Sequence, residues 1–246
     1  MRQADYIDCL ELHNIFQPES EVQFSFTQKG GRIVVFLEVP PIPGSEQTRG
    51  GIGITSRSSP NIGSYVLPGL QSRLQLERGK VGMLGNGMSS LALEIAKEYE
   101  DGTLQEVPVL IDLFDYVALH SDLRRLHLTF NKLGLCFPLY SALNTVRDIA
   151  TSINEEKLKL VKYCVGSGNP PPEAGDCNLL INSHGPPLSS LDEQVSFLVP
   201  GGDLYANLQF YHNDPIPVTC DLFTVVDNTP PTNLERFKSY IITRTC

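Results

Sequence analysis

From Lys80 onward the chain alternates short apolar runs with amphipathic stretches, and this alternation narrows its fold more than any other feature. "KVGML" has the length of a strand. It is followed by "SSLALEIAKEYE", whose apolar residues recur at helical spacing, with Ser89 or Ser90 as N-cap and Asp101-Gly102 as the stop. "VPVLID" reads as a second strand. A long helix then runs to about Leu133, with Leu119, Leu123, Leu126 and Phe130 on one stripe and Gly134 ending it, and a further helix covers Leu139 to Ala150. "LKLVKYCV" and "CNLLINS" read as the third and fourth strands. "SSLDEQVSFL" reads as a helix, "GDLYANLQF" as a fifth strand and "SYIITR" as a last one. Strands separated by helices in this way predict an α/β fold with a mostly parallel sheet, whose ligands gather at the carboxyl ends of the strands.

The segment before this domain has a different character. "EVQFSFTQKGGRIVVFLEV" alternates apolar and polar side chains on either side of Gln28-Lys29-Gly30-Gly31, the pattern of a β-hairpin. "PPIPGSEQTRGGIGITSRSSPNIGS" is rich in Pro, Gly and Ser and reads as a loop or linker. Its glycines at 50, 51 and 53 lack the following Lys-Ser or Lys-Thr of a phosphate loop. The expected division is residues 1–74 as an N-terminal extension carrying the hairpin and linker, and residues 75–246 as the α/β domain.

Charge and cysteine usage exclude several classes of function. A formal net charge of −9 disfavours nonspecific attraction to nucleic acid or an anionic membrane. No apolar run approaches the roughly 20 residues that span a bilayer, and Asp5, Asp8 and Glu11 interrupt the start of the chain, so a cytoplasmic protein is expected. The six cysteines are scattered without the close spacing of a zinc site, and no metal is expected. Cys164 reads as a small buried hydrophobe and Cys246 as exposed. Arg124-Arg125, and His120 and His127 at helical spacing with Arg124, read as a solvated helix face.

Gly85-Asn86-Gly87 makes a tight turn between the first strand and its helix, where glycines let a ligand approach the main chain. Taken with Pro200-Gly201-Gly202, placed between a helix and the fifth strand, and with "VGSGNPPPEAGDCNLLINSHG" leading into the fourth, it resembles class I S-adenosylmethionine-dependent methyltransferases over residues 75–246. The resemblance implies a Rossmann-like fold and S-adenosylmethionine as cofactor. Gly85 and Gly87 then match the first two glycines of the family loop, with Asn86 between them and Ser89 at the third. Met83 takes the place of the family's acidic residue. Asp112, ending the second strand, matches the acid that accepts bonds from the ribose hydroxyls, with Asp115 in reserve. Ser167 and Gly168 match the adenine-side loop, where Asp is usual, and Asn178 stands where an Asp often begins the fourth strand.

By the same resemblance, "NSHGPP" faces the methyl group. Asn182, Ser183 and His184 form the substrate-facing set, with His184 as general base and Asn182 as cofactor contact and hydrogen-bond partner of a substrate amide or amine. No aromatic residue in this loop offers a face on which an extruded base stacks, so a small molecule or a protein is the expected acceptor. His212 reads as a surface-loop residue. Two alternatives stand beside the methyltransferase. One is a methyltransferase-like binding or scaffold protein with a protein partner, favoured by Met83, Ser167 and Asn178. The other is an NAD(P)-dependent oxidoreductase using Gly85 and Gly87 with Asp112, disfavoured by Ser90 at the third glycine position.

Overall fold

The computed structural model describes residues 9–29, 32–40, 50–54, 70, 74, 79–166, 170–183, 185–186, 188–209, 217–229 and 237–246. The chain forms two compact units. One takes the residues up to Pro60 together with Leu113–Ala150, the other Asn61–Asp112 together with Thr151–Cys246.

The second unit is built on a seven-stranded sheet. Its strands are β4 (Val81–Leu84), β5 (Val109–Asp112), β6 (Lys159–Lys162), β7 (Cys177–Ser183), β8 (Leu198–Gln209), β9 (Phe223–Asp227) and β10 (Phe237–Arg244). They lie in the order β6-β5-β4-β7-β8-β10-β9. Neighbours from β6 to β8 run parallel, and β10 is antiparallel to both β8 and β9. This is the expected Rossmann-like, mostly parallel sheet. Central β4 and β5 are buried along their whole length, which is why they read as unbroken apolar runs rather than as alternating ones. Leu180, Phe197, Leu204, Ala206 and Ile242 form the middle of the apolar core, each large member contributing about 1.5–3 kcal/mol by leaving water.

Two features of this sheet differ from the sequence reading. Pro200-Gly201-Gly202 lies inside β8 and is not a turn ahead of it: Cys177 pairs with Leu198 and Leu179 with Asp203, so residues 199–202 bulge out of the ladder. Gly201 sits there at φ +80°. The strand β9, unforeseen in sequence, occupies one edge. Part of its outer backbone is already engaged, because Val225 N–H donates to Thr219 Oγ1 (2.9 Å) and Cys220 N–H to the Phe223 carbonyl (3.0 Å). The link from β6 to β7 contains, among its described residues, only the short 3-10 turn Pro172–Ala174 where a crossover helix is usual.

The helix α2 (Leu91–Glu100) follows β4, and α5 (Leu191–Ser196) follows β7.

The first unit contains α1 (Cys9–Ile15), β1 (Gln23–Lys29), β2 (Arg32–Val39), β3 (Gly50–Ile54), α3 (Tyr116–Lys132) and most of α4 (Tyr140–Asn154). The expected hairpin is present, but Gln28 and Lys29, read as part of its turn, belong to β1, with Lys29 paired to Arg32. Residues 50–54, read as linker, are instead a third strand paired antiparallel to β2. The stripe Leu119, Leu123, Leu126 and Phe130 is buried as predicted.

Arg125 is only partly solvated, with 39% of its side chain exposed. It bonds Asp122 (3.2 Å) and the Gln17 carbonyl (3.1 Å), and its guanidinium lies 5.7 Å from the Phe16 ring centroid. His127 also leaves the solvated face, with Phe137 4.9 Å and Tyr140 6.0 Å away, ring centroid to centroid. Cys164 is half-buried and Cys246 exposed. Among the described residues no helix is long and apolar enough to cross a membrane.

Candidate functional site

The strand order of the second unit reverses between β4 and β7, and the candidate residues cluster at the carboxyl ends of β4, β5 and β7. Leaving β4, the chain turns at Gly85, whose N–H donates to the Ile111 carbonyl at the end of β5 (2.9 Å). Gly85 and Gly87 have φ of +60° and +56°, which is why glycines stand here: a β-carbon is disfavoured in this left-handed region. The turn aims the Gly87 N–H at Asp112 Oδ2 (3.0 Å). Asp112 is buried, and its own carbonyl accepts the N–H of Tyr163 beyond β6 (3.0 Å). The ends of β4, β5 and β6 are thereby joined through one aspartate.

Asn86 is turned into the start of α2. Its Oδ1 accepts the Ala92 N–H (3.1 Å) and its Nδ2 donates to the Ser89 carbonyl (2.9 Å). Ser89 Oγ accepts the Leu91 N–H (3.1 Å), while Ser90, at the N-cap position, makes no side-chain cap bond. Capping is therefore divided between Asn86 and Ser89, which fixes the turn to the helix that follows.

Asn182, next to last in β7, has no solvent exposure. Its Oδ1 accepts the Gly185 N–H (3.0 Å), and its Nδ2 donates to the Pro186 carbonyl (2.8 Å) and to Gln194 Oε1 (2.7 Å). Gln194 Nε2 in turn donates to Ser190 Oγ (3.0 Å). This side chain thus fastens the loop after β7 to α5. The loop comes down on the glycine turn: a β-carbon on Gly85 would meet Gly185 Cα at 2.8 Å and Pro186 Cδ at 3.2 Å, and one on Gly185 would overlap the Leu84 carbonyl oxygen. Gly185 and Gln194 did not emerge from the sequence reading, where neither has a local signal that pairs it with Asn182.

The other expected residues separate from this cluster. Met83 is buried in β4 with only 1% of its surface exposed, a core side chain in the family's acidic position. Asn178 begins β7, at the opposite end from Asn182, and its Oδ1 accepts the Lys80 N–H (3.1 Å). Asp115 belongs to the first unit, where its Oδ1 caps α3 by accepting the N–H groups of Val117 and Ala118 (3.1 Å each). Ser183 is buried near the end of β7. Ser167, Gly168, His184 and His212 lie outside the described residues. The assembled chemistry is a glycine turn and a buried carboxylate at a topological switch point, a combination suited to a ligand with vicinal hydroxyls.

Over most of its length the chain is matched, at low identity and low TM-score, by solved methyltransferases and a spermidine synthase. A 16S rRNA methyltransferase from T. thermophilus, solved with AdoMet and guanosine, matches 92% of this chain at 14% identity and TM-score 0.41; the chain spans about half of that enzyme's length (51%). A SAM-dependent O-methyltransferase from Thermotoga maritima matches 90% of this chain and 78% of its own at 11% identity and TM-score 0.42. Spermidine synthase from Thermotoga maritima matches 92% and 73% at 12% identity and TM-score 0.44. No family model and no curated protein matches the chain.

Proposed function

We propose that the second unit binds S-adenosylmethionine and that the protein transfers its methyl group to a small molecule or a protein side chain. The observation that carries this reading is the Gly87 N–H bonded to the Asp112 carboxylate at the strand-order switch point. The residues fit the cofactor's chemistry. Asp112 is the acid for the ribose hydroxyls, since one carboxylate accepts several bonds at once and the Gly87 N–H holds it in place. Gly85, Asn86 and Gly87 form a wall with no β-carbon at its two left-handed positions. The bound cofactor supplies a methyl group on a sulfonium.

The protein's part in such a transfer is alignment of the acceptor and exclusion of water, with a base where the acceptor carries a proton. Asn182 acts in this scheme by holding the Gly185-Pro186 loop, its amide being committed to Pro186 and Gln194. By the family resemblance alone, Ser167 and Gly168 are assigned to the adenine side and His184 to the base. A cytoplasmic location belongs to the same proposal. Titration of the whole protein with S-adenosylmethionine tests it, with binding expected to weaken in Asp112→Asn.

A second reading, a methyltransferase-like binding protein without transfer activity, draws on two observations. Met83 is a core residue where the family carries an acid, and the loop after β7 packs directly against Gly85.

A further inference from the structure

The described part of the link from β6 to β7 has no helix to hold it, yet its first residues are fixed at two places by one carboxylate. Glu193, on α5, accepts the Tyr163 hydroxyl on Oε1 (2.5 Å) and the Gly166 N–H on Oε2 (2.6 Å). The Tyr163 ring also stands edge-on to Phe197, with centroids 5.8 Å apart, and Val165 packs on the apolar core. Gly166 sits at φ +95°, so the chain changes direction at the residue Glu193 holds. The same segment begins at the Tyr163 N–H, which is bonded to the carbonyl of Asp112.

We infer that Glu193 is a positioning residue for cofactor binding, a step that rests on the function proposed above. Its two oxygens clamp both ends of Tyr163–Gly166 and so set the path of the chain beside Asp112. Bonds to an ionised acceptor are stronger than neutral ones, and a chelating carboxylate fixes direction as well as distance. The clamp joins groups 27 and 30 residues apart in sequence. Glu193 does not touch the reacting atoms; it acts through the segment it holds.

The test is calorimetric titration of the full chain with S-adenosylhomocysteine, together with the amide resonance of Gly166 in the ligand-free protein, for wild type, Glu193→Ala, Glu193→Gln and Tyr163→Phe. Glu193→Ala is expected to weaken binding about tenfold or more and to shift the Gly166 resonance, with the melting temperature little changed. Glu193→Gln is expected to recover part of the affinity, since its oxygen accepts the Gly166 N–H while its amide donates to the Tyr163 oxygen. Tyr163→Phe is expected to fall between wild type and Glu193→Ala.

Wild-type affinity in a folded Glu193→Ala variant whose Gly166 resonance has moved overturns the positioning role and leaves the proposed function standing. An affinity loss that only follows a fall in melting temperature, without rescue by Gln, also overturns it. No binding to folded wild-type protein overturns the proposed function and this inference together.

Discussion

Replacing Gly85 with alanine probes how tightly the loop after β7 is locked onto the glycine turn. Gly85 has φ +60°, and a residue with a β-carbon loses about 1–2 kcal/mol there from backbone strain. The new methyl group would also stand 2.8 Å from Gly185 Cα and 3.2 Å from Pro186 Cδ. Neither is the flexible end of a side chain. Both belong to a loop that Asn182 holds through the Gly185 N–H and the Pro186 carbonyl, so accommodating the methyl group strains bonds contributing about 0.5–1.5 kcal/mol each. The sum is about 2–5 kcal/mol for Gly85→Ala. Gly134→Ala and Gly102→Ala isolate the backbone part, because both glycines have positive φ (+67° and +77°) and nothing within 4 Å of the added carbon. Urea unfolding of the three variants is the assay. Gly85→Ala should cost at least about 1 kcal/mol more than either control. Equal costs for all three would refute the loop contact as a locked one.

Three further outcomes follow from the geometry. Asp122→Ala should destabilise the first unit by roughly 3 kcal/mol in urea unfolding, since its fully buried carboxylate accepts the N–H groups of Glu19 (2.8 Å) and Ser20 (3.0 Å) and pairs with Arg125. His120 is held below its ordinary value of 6.5 by burial first, then by Arg124 and Arg147, with Asp148 opposing. The unfolded chain therefore binds the proton more readily, and this contribution to stability, complete above pH 6.5, is lost as pH falls through 6.5 and below; His120→Gln should flatten the melting temperature against pH there. Burial pushes the Cys177 thiol up to about 11, so at pH 8 alkylation should reach the exposed Cys136 and Cys220 well before Cys177.

The strands at the centre of the sheet were legible because burial on both faces leaves a short apolar run at their middle, as in "VLI" of β5 and "LLI" of β7. The glycine turn was legible because positive φ at Gly85 and Gly87 has a residue type of its own. β3 was not, since "GGIGI" has the composition of a loop and is a strand only through its pairing with Val35–Val39 of β2. β9 was hidden because most of its residues are exposed or half-buried and give no apolar run, and the Pro200-Gly201-Gly202 bulge by the same residues that mark a turn. In the site, residue types were readable and their partners were not. Asp112 meets Gly87 across 25 positions, and Asp122 meets Glu19 across 103, distances over which a sequence pattern carries no register. Arg125 and His127 looked solvated because their spacing on α3 lies off the apolar stripe, yet Phe16, Phe137 and Tyr140 contact them.

The most direct test of the account is calorimetric titration of the folded protein with S-adenosylmethionine, for wild type, Asp112→Asn and Asp112→Ala. Asp112→Asn keeps an oxygen for the Gly87 N–H and loses the charge, whereas Asp112→Ala loses both. Micromolar binding by wild type, weakened in Asp112→Asn and abolished in Asp112→Ala, is the predicted result. Absence of binding by a folded wild type, or binding indifferent to both substitutions, would contradict the claim that this strand-end carboxylate and glycine turn form a cofactor site.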